Sequence, residues 1–506
     1  MIKRLQNFVE KYSLFLLILI LLIGIYSRVR LVLDKTFPFT YDIGRDLLAV
    51  GGMVHHFTIP LIGPTTGLPG LFYGPWWYYS LVPAFIVGGG NPQIINLFMA
   101  LTGIVVIIIG YFVGVKINGK GFGLILASLL SFSPSLIAAS TQIWNPNVAP
   151  MYLIFIFLVL LTMINSEKAQ RSTFRIRYLV LLGLLAGLNI DSEVVYGLIL
   201  SFALSIFLGI FVLKKKIINY LYFLFGIIII LSPRIFFEFR HDFIMTRSII
   251  NSNLHGNSLG IFSNIPAQFV KSLMAIIQLW ELTIGMHSLV IAVILGLGSI
   301  GIVVFYFKSL SCAHKLLIKY SLIAVATYLI VLAFFGGDIW GHYLVGVPVI
   351  YIFIFATACW LLWKNSRLLP FGVLILVFVL ISQFDPYAVY SYYAKPIPYG
   401  DASLYRNQEE IVDYVYHEAK GRKFNEIVYT PPVHDYTYQY LFLWHGEKKY
   451  HYQPTLSHEP LFFVILEPDP GYEGRLRDWL ESRKDDGKVI KETHFTSGII
   501  VQTRLH

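Results

Sequence analysis

Long apolar segments alternate with short polar linkers along the first three quarters of the chain. The first apolar segment, Tyr12–Val32, holds roughly 20 residues, which is enough to cross the hydrocarbon core of a bilayer. The pattern predicts about eleven spans: Tyr12–Val32, Ile94–Val115, Phe122–Ser140, Val148–Ile164, Tyr178–Leu188, Val194–Leu213, Ile217–Leu231, Leu289–Phe307, Ile318–Phe335, Tyr343–Leu362 and Leu369–Ile381. Only 13% of the 506 residues are charged, against about 25% in soluble domains. The sequence therefore predicts a polytopic α-helical membrane protein.

Basic residues occupy every second linker, which is the pattern of cytoplasmic loops. They are Lys3, Arg4, Lys11, Lys116, Lys120, Lys168, Arg171, Arg175, Arg177, Lys214, Lys215, Lys216, Lys308, Lys315, Lys319, Lys364 and Arg367. This alternation requires that Trp76–Gly90 does not span, and Pro83 in its middle agrees. We expect a juxtamembrane helix there, in a long first outer loop, and a cytoplasmic N-terminus in the cell membrane.

The opposite linkers, predicted to lie on the outer face, carry most of the acidic residues of the membrane part. They are Asp34, Asp42, Asp46, Asp191, Glu193, Glu238, Asp242, Glu281 and Asp338. Charged side chains at the edge of a bilayer are costly and often mark a functional site. We therefore expect the chemistry of this protein on its outer face.

After Ile381 the chain becomes polar and its charge balance reverses. Residues 385–506 hold 14 basic and 18 acidic residues, whereas the remainder holds 25 and 11. Alternating helix and strand patterns predict a small α/β domain, placed outside the cell by the odd number of spans. The predicted domains are thus 1–384 and 385–506. Because the basic excess belongs to membrane loops, a nucleic-acid partner is not expected.

Several motifs resemble those of a known family. They are Asp42-Ile43-Gly44-Arg45, the segment from Gly63 to Tyr79, Ser133-Pro134, Gln142–Asn147, Phe237–His241 and Gly341-His342-Tyr343 ahead of Pro348. The membrane part resembles GT-C superfamily glycosyltransferases, in the branch of the protein O-mannosyltransferases and the lipid A aminoarabinose transferases. Two departures are notable: Ile43 stands where many members have Glu, and Tyr73-Gly74-Pro75 replaces a Lys-Pro-Pro sequence.

The resemblance implies a cell-envelope glycosyltransferase that takes a hexose or pentose from a polyprenyl-phosphate-linked donor. Transfer to an acceptor hydroxyl, with inversion, needs a carboxylate base, and Asp42 occupies the position of the family's motif aspartate. The leaving phosphate needs cations, which arginine supplies well. The outer candidates are Arg234, Arg240, His241 and Arg247, followed by Arg45 and Lys271, and the sequence favours Arg240 and His241. The predicted substrate-binding residues are Arg45, Asp46, Trp144, Asn145, Asn147, Asp191, Glu193, Glu238, Arg240, His241, His342 and Tyr343.

Structural explanations for these residues stay open. Asp46 binds the sugar or acceptor, orients Arg45, or simply favours the start of a helix, and Asn147 caps the next helix or contacts substrate. Arg234 and Arg240 bind the phosphate or anchor at lipid headgroups. No metal motif is present, so no cofactor is predicted and a divalent metal is left open.

Two other functions compete with the enzyme. A transporter or flippase of lipid-linked saccharides would show internal repeats and broken helices in matching halves, and the sequence shows none. A structural receptor would not explain the clustered acids. The expected partners are the lipid-linked donor, a glycan, lipid or protein acceptor, and membrane lipids.

Overall fold

The computed structural model describes residues 2–165, 172–213, 218–254, 265–284, 288–335, 337–365, 367–383, 401–431 and 434–505. Its membrane part is helical: α1 Ile2–Lys11, α2 Ser13–Leu33, α3 Tyr41–His56, α4 Trp76–Gly88, α5 Pro92–Asn118, α6 Lys120–Phe132, α7 Pro134–Ala139, α8 Ala149–Asn165, α9 Ser172–Ser192, α10 Val194–Phe207, α11 Ile218–Arg240, α12 Ile244–Leu254, α13 Ile265–Thr283, α14 Leu289–Phe305, α15 Cys312–Ala333, α16 Val347–Lys364 and α17 Leu369–Gln383.

Within the described residues, seven helices are long and apolar enough to cross a membrane, and three shorter apolar helices accompany them. The predicted architecture, a polytopic helical membrane protein with a small outer α/β domain at the C-terminal end of the chain, is confirmed in its helical membrane part and its strand-containing domain. The number of spans and the side on which the domain lies stay predictions. The predicted juxtamembrane segment is helical, as α4.

Two membrane segments differ from the sequence prediction. The predicted span Phe122–Ser140 is divided at Ser133, because Pro134 cannot donate the next helical hydrogen bond. Helix α13 was not predicted, since Lys271, Glu281 and its glutamines interrupt the apolar pattern. It packs on α14 and α15.

A buried arginine stabilises the break between α6 and α7. Arg28 of α2 is 1% exposed and donates to the carbonyl oxygens of Ser131 (3.1 Å) and Leu130 (3.3 Å). Helices leave their last carbonyls without intrahelical partners, and a cation there also meets the negative end of the helix dipole. The sequence analysis did not single out Arg28, yet the packing of α2 on α6 depends on it.

Helix ends that were predicted to share a side do come together. At one end Asn118, His314 and Thr357 form a hydrogen-bonded chain, each contact 2.8 Å long. At the opposite end the backbone N–H of Gly74 donates to the carbonyl of Asp191 at 3.0 Å. The alternation of linkers is therefore consistent with the contacts, while the assignment of the first end to the cytoplasm stays a prediction.

The C-terminal domain begins with α18 Tyr405–Ala419, followed by β1 Asn425–Tyr429, α19 Tyr436–Leu441, a π-helix Phe442–Tyr450, β2 Leu461–Leu466, α20 Glu473–Glu481, β3 Lys488–His494 and β4 Ile500–Leu505. The sheet order is β1-β2-β4-β3. Strands β1 and β2 are parallel, and the other pairs are antiparallel. Strand β2 is buried along its whole length, which matches its unbroken apolar sequence.

The domain attaches to the chain segment that leads into α3. The N–H of Phe39 donates to Ser403 O (2.7 Å), the N–H of Tyr405 donates to Phe37 O (3.1 Å), and Lys35 pairs with Glu409. Phe37 and Tyr405 stack at 5.1 Å between ring centroids. This attachment places the domain directly over the start of α3.

Some predicted features lie outside the described residues. They are the basic residues Lys168, Arg171 and Lys214–Lys216, and the proposed domain boundary between residues 384 and 385.

Candidate functional site

Helix α3 carries the three charged residues of the Asp42–Asp46 motif. It begins at Tyr41 after an extended Thr40, which puts the Asp42 carboxylate in the first turn, where the helix dipole favours a negative charge. Arg45 lies one turn further on and pairs with Asp42 at 2.8 Å and with Asp46 at 2.9 Å. The guanidinium therefore lies between the two carboxylates.

The two carboxylates have different surroundings. Asp46 is fully buried, and it accepts hydrogen bonds from Trp77 Nε1 (2.7 Å), Arg45 Nε (3.0 Å) and Arg45 Nη2 (2.9 Å). Burial raises the pKa of Asp46 to about 6, against the opposing effects of Arg45 and Trp77. With its oxygens occupied by protein donors, Asp46 is placed to hold Arg45, which was one of its three predicted roles.

Asp42 is the accessible carboxylate of the pair. Its side chain is 21% exposed, whereas that of Asp46 is 0% exposed. Burial raises the pKa of Asp42, and the neighbouring Arg45 opposes that shift. A carboxylate with a raised pKa is a stronger base than a free one, so Asp42 is suited to accept a proton from a bound hydroxyl.

The segment between residues 63 and 75 folds back on itself and reaches the end of α9. Gly63 N–H donates to Tyr73 O (2.9 Å) and Tyr73 N–H donates to Pro64 O (2.8 Å). Gly74 lies against Asp191, and a Cβ at position 74 would overlap that carboxylate. Glycine is thus required here for close approach.

Asp191 and Glu193 are both buried beside this segment. Asp191 Oδ2 accepts from the Trp76 N–H at 3.0 Å, while its Oδ1 has no hydrogen-bond partner among the described residues. Glu193 accepts from the Tyr73 hydroxyl at 2.8 Å and caps α10 through the Val195 N–H. Burial raises the pKa of Glu193 to about 7. Tyr73 is also within electrostatic range of Asp42. Glu193 and Asp42 therefore border the same region around Tyr73.

Trp144, His342 and Tyr343 form an aromatic group at the same end. The Trp144 and His342 rings are 5.2 Å apart, and those of His342 and Tyr343 are 4.6 Å apart. Burial lowers the pKa of His342 to about 4, so the imidazole is neutral at neutral pH. Tyr343 is within electrostatic range of Glu193.

The two asparagines of the Trp144–Asn147 motif donate side-chain hydrogen bonds to backbone carbonyl oxygens. Asn145 donates to Ser192 O at 2.5 Å, and Asn147 donates to Gln142 O at 3.1 Å. Asn145 Oδ1 is buried without a hydrogen-bond partner in the described part of the chain. It therefore keeps a free acceptor next to the residues that end α9.

The three predicted residues at the end of α11 are placed differently. Glu238 accepts from the N–H groups of Met245 (2.8 Å) and Thr246 (3.1 Å) and so caps α12. His241 stacks on Phe237, and Arg240 is exposed. Within the described ranges, no contact joins Arg240 or His241 to the residues around Asp42.

No protein-family model matches the chain, and no curated protein sequence does. Several solved structures do match it, among them the following two. ArnT from Cupriavidus metallidurans bound to undecaprenyl phosphate aligns with 97% of this chain and 98% of its own, with a TM-score of 0.59 at 11% identity. The Archaeoglobus fulgidus oligosaccharyltransferase in complex with Zn and sulfate aligns with 87% of this chain and 62% of its own, with a TM-score of 0.50 at 13% identity.

The chain has the fold of ArnT. At these identities the similarity establishes the architecture, and it covers the C-terminal domain as well as the helical part.

The contacts also involve residues outside the predicted substrate-binding set. Arg234 lies within electrostatic range of Asp191, Glu238 and Tyr73, whereas the sequence favoured Arg240. Tyr73 and Trp77 hold Glu193 and Asp46. Arg234 was among the candidate cations named from the sequence, which preferred Arg240 and His241.

Groups of three or more His, Cys, Asp or Glu side chains that could hold a metal ion are not found in the described part of the chain. The carboxylates near Asp42 are paired with arginine, tryptophan and tyrosine donors instead.

Proposed function

We propose that the protein is a membrane glycosyltransferase that takes a sugar from a polyprenyl-phosphate-linked donor. It transfers the sugar to an acceptor hydroxyl at the outer face of the cytoplasmic membrane. The observation that carries the proposal is the accessible Asp42 carboxylate, held by Arg45 in the first turn of α3, in a chain with the fold of ArnT. ArnT, whose fold this chain shares along 97% of its length, was crystallised with undecaprenyl phosphate.

In this reaction the acceptor hydroxyl attacks the anomeric carbon while the bond to the lipid phosphate breaks. Asp42 accepts the hydroxyl proton as the new glycosidic bond forms, and the lipid phosphate leaves with the bonding electron pair. Attack from the side opposite the phosphate inverts the anomeric carbon. Arg45 keeps Asp42 ionised and oriented, and Asp46 and Trp77 hold Arg45.

The leaving phosphate gains negative charge and needs a positive partner near Asp191 and Tyr73. Arg234 supplies that charge in the proposal, because it is within electrostatic range of both residues. Arg240, six residues further on, is exposed and serves as the matched control. An arginine fixed in a partly enclosed site interacts with phosphate far more strongly than one in water.

The test uses purified protein in proteoliposomes with a radiolabelled polyprenyl-phosphate hexose and extracted membrane acceptors. Label should move to the acceptor, and NMR of the product should show an inverted anomeric configuration. Arg234→Met should lower the rate at least tenfold, whereas Arg240→Met should change it by less than about twofold. Failure of the wild-type protein to transfer label from any polyprenyl-phosphate sugar would refute the proposed function.

A further inference from the structure

Three aromatic rings connect the start of α3, beside Asp42, to the C-terminal domain. The Tyr41 ring lies 6.0 Å from His434, and His434 stacks on Tyr436 at 5.5 Å with 12° between the planes. On the other side, the Arg45 guanidinium lies 5.9 Å from the Tyr41 ring. We call Tyr41, His434 and Tyr436 the aromatic column. It begins beside Asp42 and ends on α19.

The aromatic column is held in place by close backbone packing. Gly44 lies so near α19 that a Cβ at this position would come 2.4 Å from the Tyr436 carbonyl carbon and 2.5 Å from the Thr437 nitrogen. Behind the column, the Tyr438 hydroxyl donates to the buried Glu467 at 3.0 Å. Helix α19 is therefore fixed on both sides, against α3 and against its own domain.

Two hydrogen bonds join the same part of the domain to the residues that follow α4. Tyr440 donates to Gly90 O, and Trp444 Nε1 donates to Gly89 O at 2.7 Å. The position of the aromatic column relative to Asp42 is thus set by contacts at α3 and at the end of α4.

The accessible parts of the column combine flat apolar faces with polar edges. His434 is exposed, and Tyr41 and Tyr436 are half-buried. Beside them, Asp435 and Gln439 form a polar pair, with 2.6 Å between the carboxylate and the amide. Sugar rings have this character themselves, because one face presents C–H groups and the rim presents hydroxyls. A lipid chain would instead need a groove without polar groups.

We propose that the acceptor is a saccharide and that the aromatic column binds it next to Asp42. This inference rests on the proposed glycosyltransferase activity and names the acceptor class that the activity uses. His434 and Tyr436 contact a ring of the acceptor, and the hydroxyl to be glycosylated then lies at Asp42. The C-terminal domain thereby supplies one wall of the active site.

The experiment measures steady-state transfer from a radiolabelled polyprenyl-phosphate hexose to a short oligosaccharide acceptor. His434→Ala and Tyr436→Ala should each raise the acceptor KM about fivefold, the value expected for one aromatic stacking contact. The donor KM should not change, since the column lies on the acceptor side. Tyr436→Phe keeps the ring and should restore the acceptor KM to within about twofold.

Two controls make the result specific. Tyr472→Ala removes an exposed ring from the same domain, 62% accessible in the structure, and should leave the acceptor KM unchanged. A serine-containing peptide and a lipid alcohol replace the oligosaccharide in parallel reactions, and the wild-type protein should prefer the oligosaccharide. Thermal unfolding of each variant shows whether α19 remains folded.

The outcomes separate this inference from the proposed function. Wild-type transfer with unchanged acceptor KM in His434→Ala and Tyr436→Ala would overturn the inference and leave the glycosyltransferase intact. Preference for the peptide or the lipid alcohol would overturn it as well, as would a Tyr436→Phe variant as impaired as Tyr436→Ala. Absence of transfer by wild-type protein to every acceptor would instead refute the proposed function.

Discussion

Replacing Asp46 by alanine should destabilise the protein, whereas replacing Asp42 by alanine should not. Asp46 is fully buried and accepts from Trp77 Nε1 at 2.7 Å and from two guanidinium nitrogens of Arg45. The Asp46→Ala variant leaves those donors without an acceptor in a region that water does not reach. Breaking a buried charge pair costs about 3–5 kcal/mol, and the 15% exposure of Arg45 favours the lower end, about 3 kcal/mol.

The assay is thermal unfolding of each variant in one detergent. Unfolding entropies near 2.1 cal/mol/K per residue give about 1 kcal/mol/K for a chain of 506 residues. Asp46→Ala should therefore lower the unfolding midpoint by about 3 °C. Asp42→Ala removes only a partly exposed pair to Arg45, worth less than about 1 kcal/mol, and should shift the midpoint by less than about 1 °C.

Two results would refute this assignment of roles to Asp46 and Asp42. An Asp46→Ala variant with the wild-type midpoint would show that the carboxylate does not hold Arg45 and Trp77 in the folded protein. Equal shifts in the two variants would show that burial does not distinguish the two acids. Either result would remove the reason for assigning the base to Asp42 and the supporting role to Asp46.

Two further predictions concern the helix break and the pH dependence. Arg28→Met should lower stability by about 2 kcal/mol, measured by thermal unfolding, because the carbonyls of Leu130 and Ser131 lose their donors; wild-type stability would contradict this capping role. Because burial raises the pKa of Asp46 to about 6, protonation at lower pH discharges the carboxylate that holds Arg45. The transfer rate should rise with pH through about 6, and Asp46→Asn should shift this acid limb, leaving the limb that the titration of Asp42 itself produces; an acid limb at the same pH in Asp46→Asn and the wild type would contradict the assignment.

The architecture was predictable because membrane helices obey strong local rules. Length and hydropathy located most of the long apolar helices, and the unbroken apolar run Leu461–Leu466 agrees with a fully buried strand. Helix α13 was missed because its polar residues lower its hydropathy. Its packing on α14 and α15, which decides its position, is not visible in its own sequence.

The proximity of the candidate site residues was predictable only for those that belong to the same short motif. Asp42, Arg45 and Asp46 are close in sequence, so their proximity followed from one helical turn. Their different roles did not, because the burial of Asp46 depends on Trp77, which is 31 residues away. The choice between Arg234 and Arg240 likewise depended on the contact of α9 with α11.

The contribution of the C-terminal domain had no sequence signal at all. In the sequence, His434 and Tyr436 resemble ordinary surface residues of a small domain. Only the close packing of α19 against Gly44 brings them beside Tyr41. Such long-range contacts are set by tertiary packing, which local patterns do not encode.

The measurement that tests the account most directly is transfer by the Asp42→Asn variant. Asparagine keeps the size of the side chain and cannot accept the proton, so the rate should fall at least a hundredfold, with the unfolding midpoint and donor binding unchanged. If Asp42→Asn transfers label from the polyprenyl-phosphate sugar as fast as the wild-type protein, Asp42 is not the base and the proposed mechanism is wrong.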